Sequence, residues 1–111
     1  MRQVTNETLA KVVDAIVQEV DPEQIVLFGS RARGESTADS DIDLLIVESE
    51  PFGADRNRWE ETARLWSLVA QFRMPIDILL YTRDEVEHWR HSRSHVIARA
   101  TREGRPLYER H

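Results

Sequence analysis

A chain of 111 residues, 41% apolar and 32% charged, has room for one modest hydrophobic core, so residues 1–111 are expected to form a single domain. It contains no cysteine, which excludes disulfides and thiolate metal sites and makes a reducing cytoplasm the expected compartment. No apolar run approaches the length of a membrane span, the N-terminus lacks a signal-peptide apolar core, and a net charge of −5 disfavours a groove for long nucleic acid.

The first helix is expected over Thr5 to Val20, where Leu9, Val12, Val13, Ile16, Val17 and Val20 recur at helical spacing. Asp21-Pro22 stops it. Ile25-Val26-Leu27-Phe28 reads as a short buried strand, and residues 30–40 as a helical turn followed by a loop. Asp41–Glu48 is the second strand, apolar enough at Leu44 to Val47 for burial on both faces. Asp55 to about Phe72 reads as a second amphipathic helix with Trp59, Ala63, Trp66, Val69 and Ala70 on one side, a stripe expected to enter the core, with base stacking by one tryptophan as the alternative.

Pro75 opens a third strand, Ile76 to Tyr81. Thr82 or Asp84 caps a helix through about Trp89, and a last helix runs from Ser92 to Glu103, ended by Gly104 and Pro106. This order gives an α/β domain with a small central sheet flanked by helices. The connection between strands one and two is too short for a full helical crossover, so the sheet is expected to be mixed.

Residues 29–43, GSRARGESTADSDID, carry the chemistry. A glycine directly after an apolar strand lets backbone approach a ligand closely and turns N–H groups outward. Asp41 and Asp43 stand at i and i+2, which on a strand places both carboxylates on one face. Paired hard oxygen donors suit Mg²⁺, which is satisfied by carboxylates, waters and substrate phosphates. A phosphate cradle beside metal carboxylates points to nucleotide chemistry.

Asp77 lies between Ile76 and Ile78 near the start of the third strand, where an aspartate is costly unless paired, hydrogen-bonded or metal-bound. If strand three lies beside strand two, Asp77 joins Asp41 and Asp43. Such a cluster raises its own pKa values unless a cation neutralises it. The alternative for Asp77 is to cap a neighbouring loop. His91 and His95 have a zinc-like i, i+4 spacing, but surface or partner-contact histidines are the expected reading.

With these residues in view, the chain resembles a minimal nucleotidyltransferase (MNT) of the DNA polymerase beta superfamily. The motif stands as Gly29-Ser30, Asp41-Ile42-Asp43 and Asp77, with FGSRARG, SDIDLLI and a closing AREGRPLYE around it. The resemblance implies the polymerase-beta-type nucleotidyltransferase fold and transfer of a nucleoside monophosphate from an NTP to a hydroxyl, with two Mg²⁺ ions and pyrophosphate release. By the same resemblance, Gly29 and Ser30 hold the triphosphate, Asp41 and Asp43 bind both metals, and Asp77 binds the catalytic metal and helps to deprotonate the acceptor. Arg31 and Arg33 lie outside the core motif; by position and charge they steady the phosphates, with a solvent-facing role as the alternative for Arg33.

Stand-alone proteins of this length resemble the antitoxin half of toxin–antitoxin pairs. The partner implied is a HEPN-domain ribonuclease toxin in a hetero-oligomer, neutralised by transfer of AMP from ATP to a toxin tyrosine and by binding. The alternatives are an antitoxin that acts by binding with catalysis dispensable, and a small-molecule enzyme of the aminoglycoside nucleotidyltransferase type. The second half of the chain, residues 56–111, holds 11 of the 15 cations, and 14 of the 15 are arginine. An arginine-rich half suits an acidic partner, and equally a solvated helix surface.

Overall fold

The computed structural model describes residues 6–29, 41–53, 56–92 and 95–110. Helix α1 (Asn6–Val20) buries Leu9, Val12, Val13 and Ile16 along one stripe. Asp21 then takes a left-handed conformation, φ 46°, donating its N–H to the carbonyl of Val17 at 2.9 Å, and Pro22 ends the helix. Aspartate is among the few residues that tolerate this turn.

Strands β1 (Gln24–Phe28), β2 (Ile42–Glu48), β3 (Ile76–Thr82) and β4 (Arg105–Glu109) form one sheet in the order β3-β2-β1-β4. β1 pairs antiparallel with β2, and β2 pairs parallel with β3. The sheet is therefore mixed, as the short β1–β2 connection requires. Between β2 and β3 the chain crosses over through α2 (Arg58–Ala70). Helices α3 (Arg83–Trp89) and α4 (Val96–Glu103) follow β3. Among the described residues the result is a small mixed four-stranded sheet flanked by four helices.

Side-chain alternation divides the core in two. Ile25, Leu27, Ile42, Leu44, Ile46, Ile76, Ile78 and Leu80 pack with α1 residues and with Leu65 and Val69 of α2. The opposite face carries Val26, Leu45 and Val47, with Leu79, Tyr81, Val86 and Ala100 against them. Each fully buried Leu or Ile contributes about 1.5–3 kcal/mol, which makes the doubly covered β2 the firmest element.

Four expectations change. First, a fourth strand exists where Pro106 was expected only to end a helix. Proline lacks an N–H for the ladder, but β4 is an edge strand, and its register against β1 shifts at Ile25/Val26, where such a residue is tolerated. Second, α2 starts later than Asp55. Asn57 caps it, its side chain accepting from the backbone of Trp59 and Glu60.

Third, the tryptophans of α2 are not its core stripe. The buried side runs through Glu61, Leu65 and Val69, while Trp59 is 80% and Trp66 41% exposed. Aromatic bulk does not decide burial here; the aliphatic residues Leu65, Leu68 and Val69 fit against the core instead. Fourth, α4 begins at Val96 and not at Ser92, and His95, expected at the surface or at a partner contact, is half-buried at its start. Thr82 forms a reciprocal capping box with Glu85. His95 caps α4 through Nδ1, which accepts from Ile97, and stacks on Trp89 at 4.2 Å. That histidine is a structural cap.

Candidate active site

The carboxylates assemble through strand register. In the parallel β2–β3 ladder, Asp43 and Asp77 are direct partners, on strands that lie about 4.8 Å apart. Paired residues point to the same face, so the two carboxyl groups stand side by side. Phe28 is the partner of Asp43 on the other side, which sets Gly29 just beyond the end of β1 and next to Asp43. Asp41, exposed, precedes β2, and the N–H of Ile42 donates to the carbonyl of Pro75 at 2.7 Å, tying the start of β2 to that of β3.

Gly29 is required where it stands. Its φ is +77°, and a Cβ built there would lie 2.3 Å from Oδ2 of Asp43. Only a residue without a side chain leaves that oxygen free on the side facing the turn. The line across the sheet is therefore Gly29, Asp43, Asp77, with Asp41 at the strand end.

Electrostatics agree with this arrangement. The carboxyl pKa of Asp43 is raised, chiefly by burial and then by the negative charges of Asp77 and Asp41. Like charges are accumulated here, a condition that a divalent ion relieves. Among the described residues, no group of three or more His, Asp or Glu side chains is arranged as a ready-made metal cage. Mg²⁺ does not need one, since it binds through one or two carboxylates together with phosphates and waters. The donor set fits that mode, with Asp41, Asp43 and Asp77 as the residues that would hold the ion. Ser30, Arg31 and Arg33, expected to meet the triphosphate, lie outside the described residues.

Between α2 and the start of β3 is a feature that the sequence does not single out. A cleft of about 260 Å³ is lined by Trp66, Val69, Ala70, Met74, Pro75 and Ile76, with Asp41 and Asp77. Its signal in the sequence was Trp66 itself, an aromatic on the helix face that the aliphatic stripe leaves free.

The model of a family described as a nucleotidyltransferase domain matches residues 9–103. The chain belongs to that family. Among solved structures, this nucleotidyltransferase is similar to a "putative nucleotidyltransferase from Sulfolobus solfataricus", at 21% identity and a TM-score of 0.62, covering 94% of this chain and 79% of the other. It is also similar to a "toxin-antitoxin with AMP-PNP", at 20% identity and a TM-score of 0.55, covering 96% of this chain and 75% of the other. At those identities the likeness is one of fold, and it bears out the nucleotidyltransferase architecture. No curated protein matches the sequence significantly. Among the described residues, no helix is long and apolar enough to cross a membrane.

At the far end of β2 lies a second polar centre. Glu48 and Glu61 are buried side by side, and Arg56 donates to both, at 2.7 and 3.1 Å. The Glu48 carboxyl is pushed up to about 8 by burial and by its hydrogen bond and charge contact with Glu61, against the opposing pull of Arg56 and Arg64. Its second oxygen is buried, and no donor among the described residues reaches it, which fits a carboxyl that keeps its proton. This centre belongs to the scaffold: it pins the Arg56 turn and the start of α2 to the end of β2.

Proposed function

We propose that this nucleotidyltransferase moves AMP from ATP to a tyrosine hydroxyl of a partner toxin, a HEPN-domain ribonuclease, and acts as its antitoxin in a hetero-oligomer. The observation that carries the transfer reading is the side-by-side placement of Asp43 and Asp77, with Gly29 cleared of side chain next to Asp43. The protein-partner reading draws support from the fold shared with a toxin–antitoxin complex that holds AMP-PNP. It also rests on the resemblance carried by Gly29-Ser30, Asp41-Ile42-Asp43 and Asp77.

Each residue then has a task. Gly29 gives the triphosphate close access to backbone N–H groups, and Ser30, Arg31 and Arg33 follow it in the phosphate-holding segment. Asp41 and Asp43 orient the triphosphate through the cations it brings. Asp77, on the side away from Gly29, faces the acceptor and takes up its hydroxyl proton. The acceptor oxygen bonds to the α-phosphorus while the bond from that phosphorus to the bridging oxygen breaks, and pyrophosphate leaves with the electron pair. Mg²⁺, when bound, supplies charge neutralisation for the phosphates and the departing oxygen.

Incubating the protein with ATP labelled at the α-phosphate, Mg²⁺ and the toxin encoded beside it is expected to label the toxin. Absence of label from well-folded wild-type protein sinks the transfer reading. The Asp41→Ala/Asp43→Ala variant separates transfer from simple sequestration: neutralisation that survives unchanged in cells means that binding suffices.

A further inference from the structure

We infer that the outward face of α2 is a self-association surface, on which a second copy of this chain packs its own α2 antiparallel about a two-fold axis. Trp59, Ala63, Trp66 and Ala70 stand at the alternating four- and three-residue steps of a helix seam. At about 100° per residue they fall within roughly 60° of one another, and roughly 130° from the buried Glu61, Leu65 and Val69. Trp59 is 80% and Trp66 41% exposed, and both alanines are exposed. Two indoles thus stand on the solvent side, and the seam positions between and beside them carry no charge.

The large–small alternation of this face is complementary to itself. Under a two-fold axis between residues 64 and 65, Trp59 meets Ala70 of the second copy, and Ala63 meets its Trp66. Every layer then pairs an indole with a methyl, in the self-matching manner of an isologous interface. A parallel pairing would set tryptophan on tryptophan and alanine on alanine, one layer overfilled and the next empty. Hollows lie at both alanines. Ala63 borders a groove of about 400 Å³ with Ser67 and Leu68, and Ala70 a cleft of about 260 Å³ with Met74 and Pro75.

Charge and area agree with a second copy. The antiparallel arrangement sets the flanking Glu60 about 14 Å along the axis from its counterpart, beyond a screening length of roughly 8–10 Å. Arg64 turns to Glu19 of its own chain at 3.8 Å. At up to about 250 Å² for an indole, the two tryptophans expose roughly 300 Å² per copy, or about 600 Å² per pair. With the alanines, Thr62 and Ser67, the total approaches the ~1,000 Å² at which specific interfaces begin, which sets a dimer of micromolar affinity.

The test is sedimentation equilibrium of the whole chain from about 5 to about 500 µM, a range that brackets weak association. The mass is expected to climb from 13.0 kDa toward twice that value. A monomer throughout overturns the proposal. A monomer whose Trp59 fluorescence answers only to the partner toxin gives this face to the toxin, and overturns it as well.

Variants then test the pairing itself, with circular dichroism confirming that each one folds. Trp59→Ala and Ala70→Trp, both at exposed positions, are each expected to weaken the dimer roughly tenfold or more. Together in one chain they exchange the large and small partners of the same layer, and the double variant is expected to return within about threefold of wild type. Ala63→Glu, which sets a charge against the opposing Trp66, is expected to leave only monomer. A dimer indifferent to Trp59→Ala and Ala63→Glu uses another face, and single losses without rescue by the exchange exclude the antiparallel register; either result overturns the proposal. The outcome does not depend on whether the site transfers AMP.

Discussion

Gly29 and Asp43 are fitted to each other: a methyl group on the glycine would sit 2.3 Å from the aspartate's Oδ2. The turn after β1 and the carboxylate on β2 thus share one space, and the sequence keeps that space open with a residue at φ +77°.

Gly29→Ala is therefore expected to act twice. Left-handed backbone costs a residue with a Cβ about 1–2 kcal/mol, which a urea melt reads as a lower midpoint. Displacing the Asp43 carboxylate by even an ångström is expected to reduce transfer by about 10²-fold. A variant with normal turnover would show that the Asp43 carboxylate is not used where it stands.

Asp77→Asn is expected to lose transfer while making the metal-free protein slightly more stable. The folded-state pKa of Asp43 lies above its unfolded value, so ionising it disfavours the fold, and stability falls as pH rises through that raised pKa. Removing the Asp77 charge lowers the Asp43 pKa toward normal. The melting temperature at pH 7 should then rise by about 1–3 °C, modest because both groups are partly hydrated. Unchanged or lower stability would mean that the two carboxylates do not repel.

Addition of Mg²⁺ with AMP-PNP is expected to stabilise the wild-type protein through the same carboxylates. At a ligand concentration near 100 times Kd the gain is about 2.7 kcal/mol, a rise of several degrees in melting temperature. The Asp41→Ala/Asp43→Ala variant should show almost none of it. An equal shift in both proteins would place the nucleotide elsewhere.

Glu48 provides a pH signature away from the site. Its carboxyl titrates near 8 in the fold against 4.5 for the free group, so the folded state holds a proton that the unfolded state has lost between those values. Stability from this group is complete below about pH 4.5 and drains away as pH rises toward 8. Glu48→Gln keeps the shape and removes the titration. The variant should gain on wild type progressively across that window and hold its advantage above it, as read by thermal melts at a series of pH values.

Much of this was legible in the sequence because backbone periodicity dictates it. Leu9 to Val20 announce α1, the apolar run at Leu44–Val47 announces a doubly covered β2, and the i, i+2 spacing of Asp41 and Asp43 needs only a strand to become a shared face. The pairing of Asp43 with Asp77 depends on register between strands 34 residues apart, which no local pattern encodes; it was reachable only as a condition on strand order. β4 escaped notice because Pro106 is a helix stop and a tolerated edge-strand residue alike. The tryptophans of α2 misled for a different reason: hydrophobicity marks a residue for burial, but the flat sheet surface took Leu65 and Val69, leaving Trp59 and Trp66 outside. The Glu48–Glu61 pair is invisible in the sequence because burial of two carboxyl groups side by side runs against local preference and depends on Arg56, which donates to both, and on the raised pKa of Glu48.

The most direct measurement is the intact mass of the partner toxin after incubation with ATP, Mg²⁺ and either wild-type protein or Asp77→Asn. The expected result is one or more AMP adducts on a tyrosine with wild type and none with the variant, both proteins being equally folded. An unmodified toxin with wild type, or the same adducts with Asp77→Asn, would contradict the claim that Asp43 and Asp77 together form a site for nucleotidyl transfer.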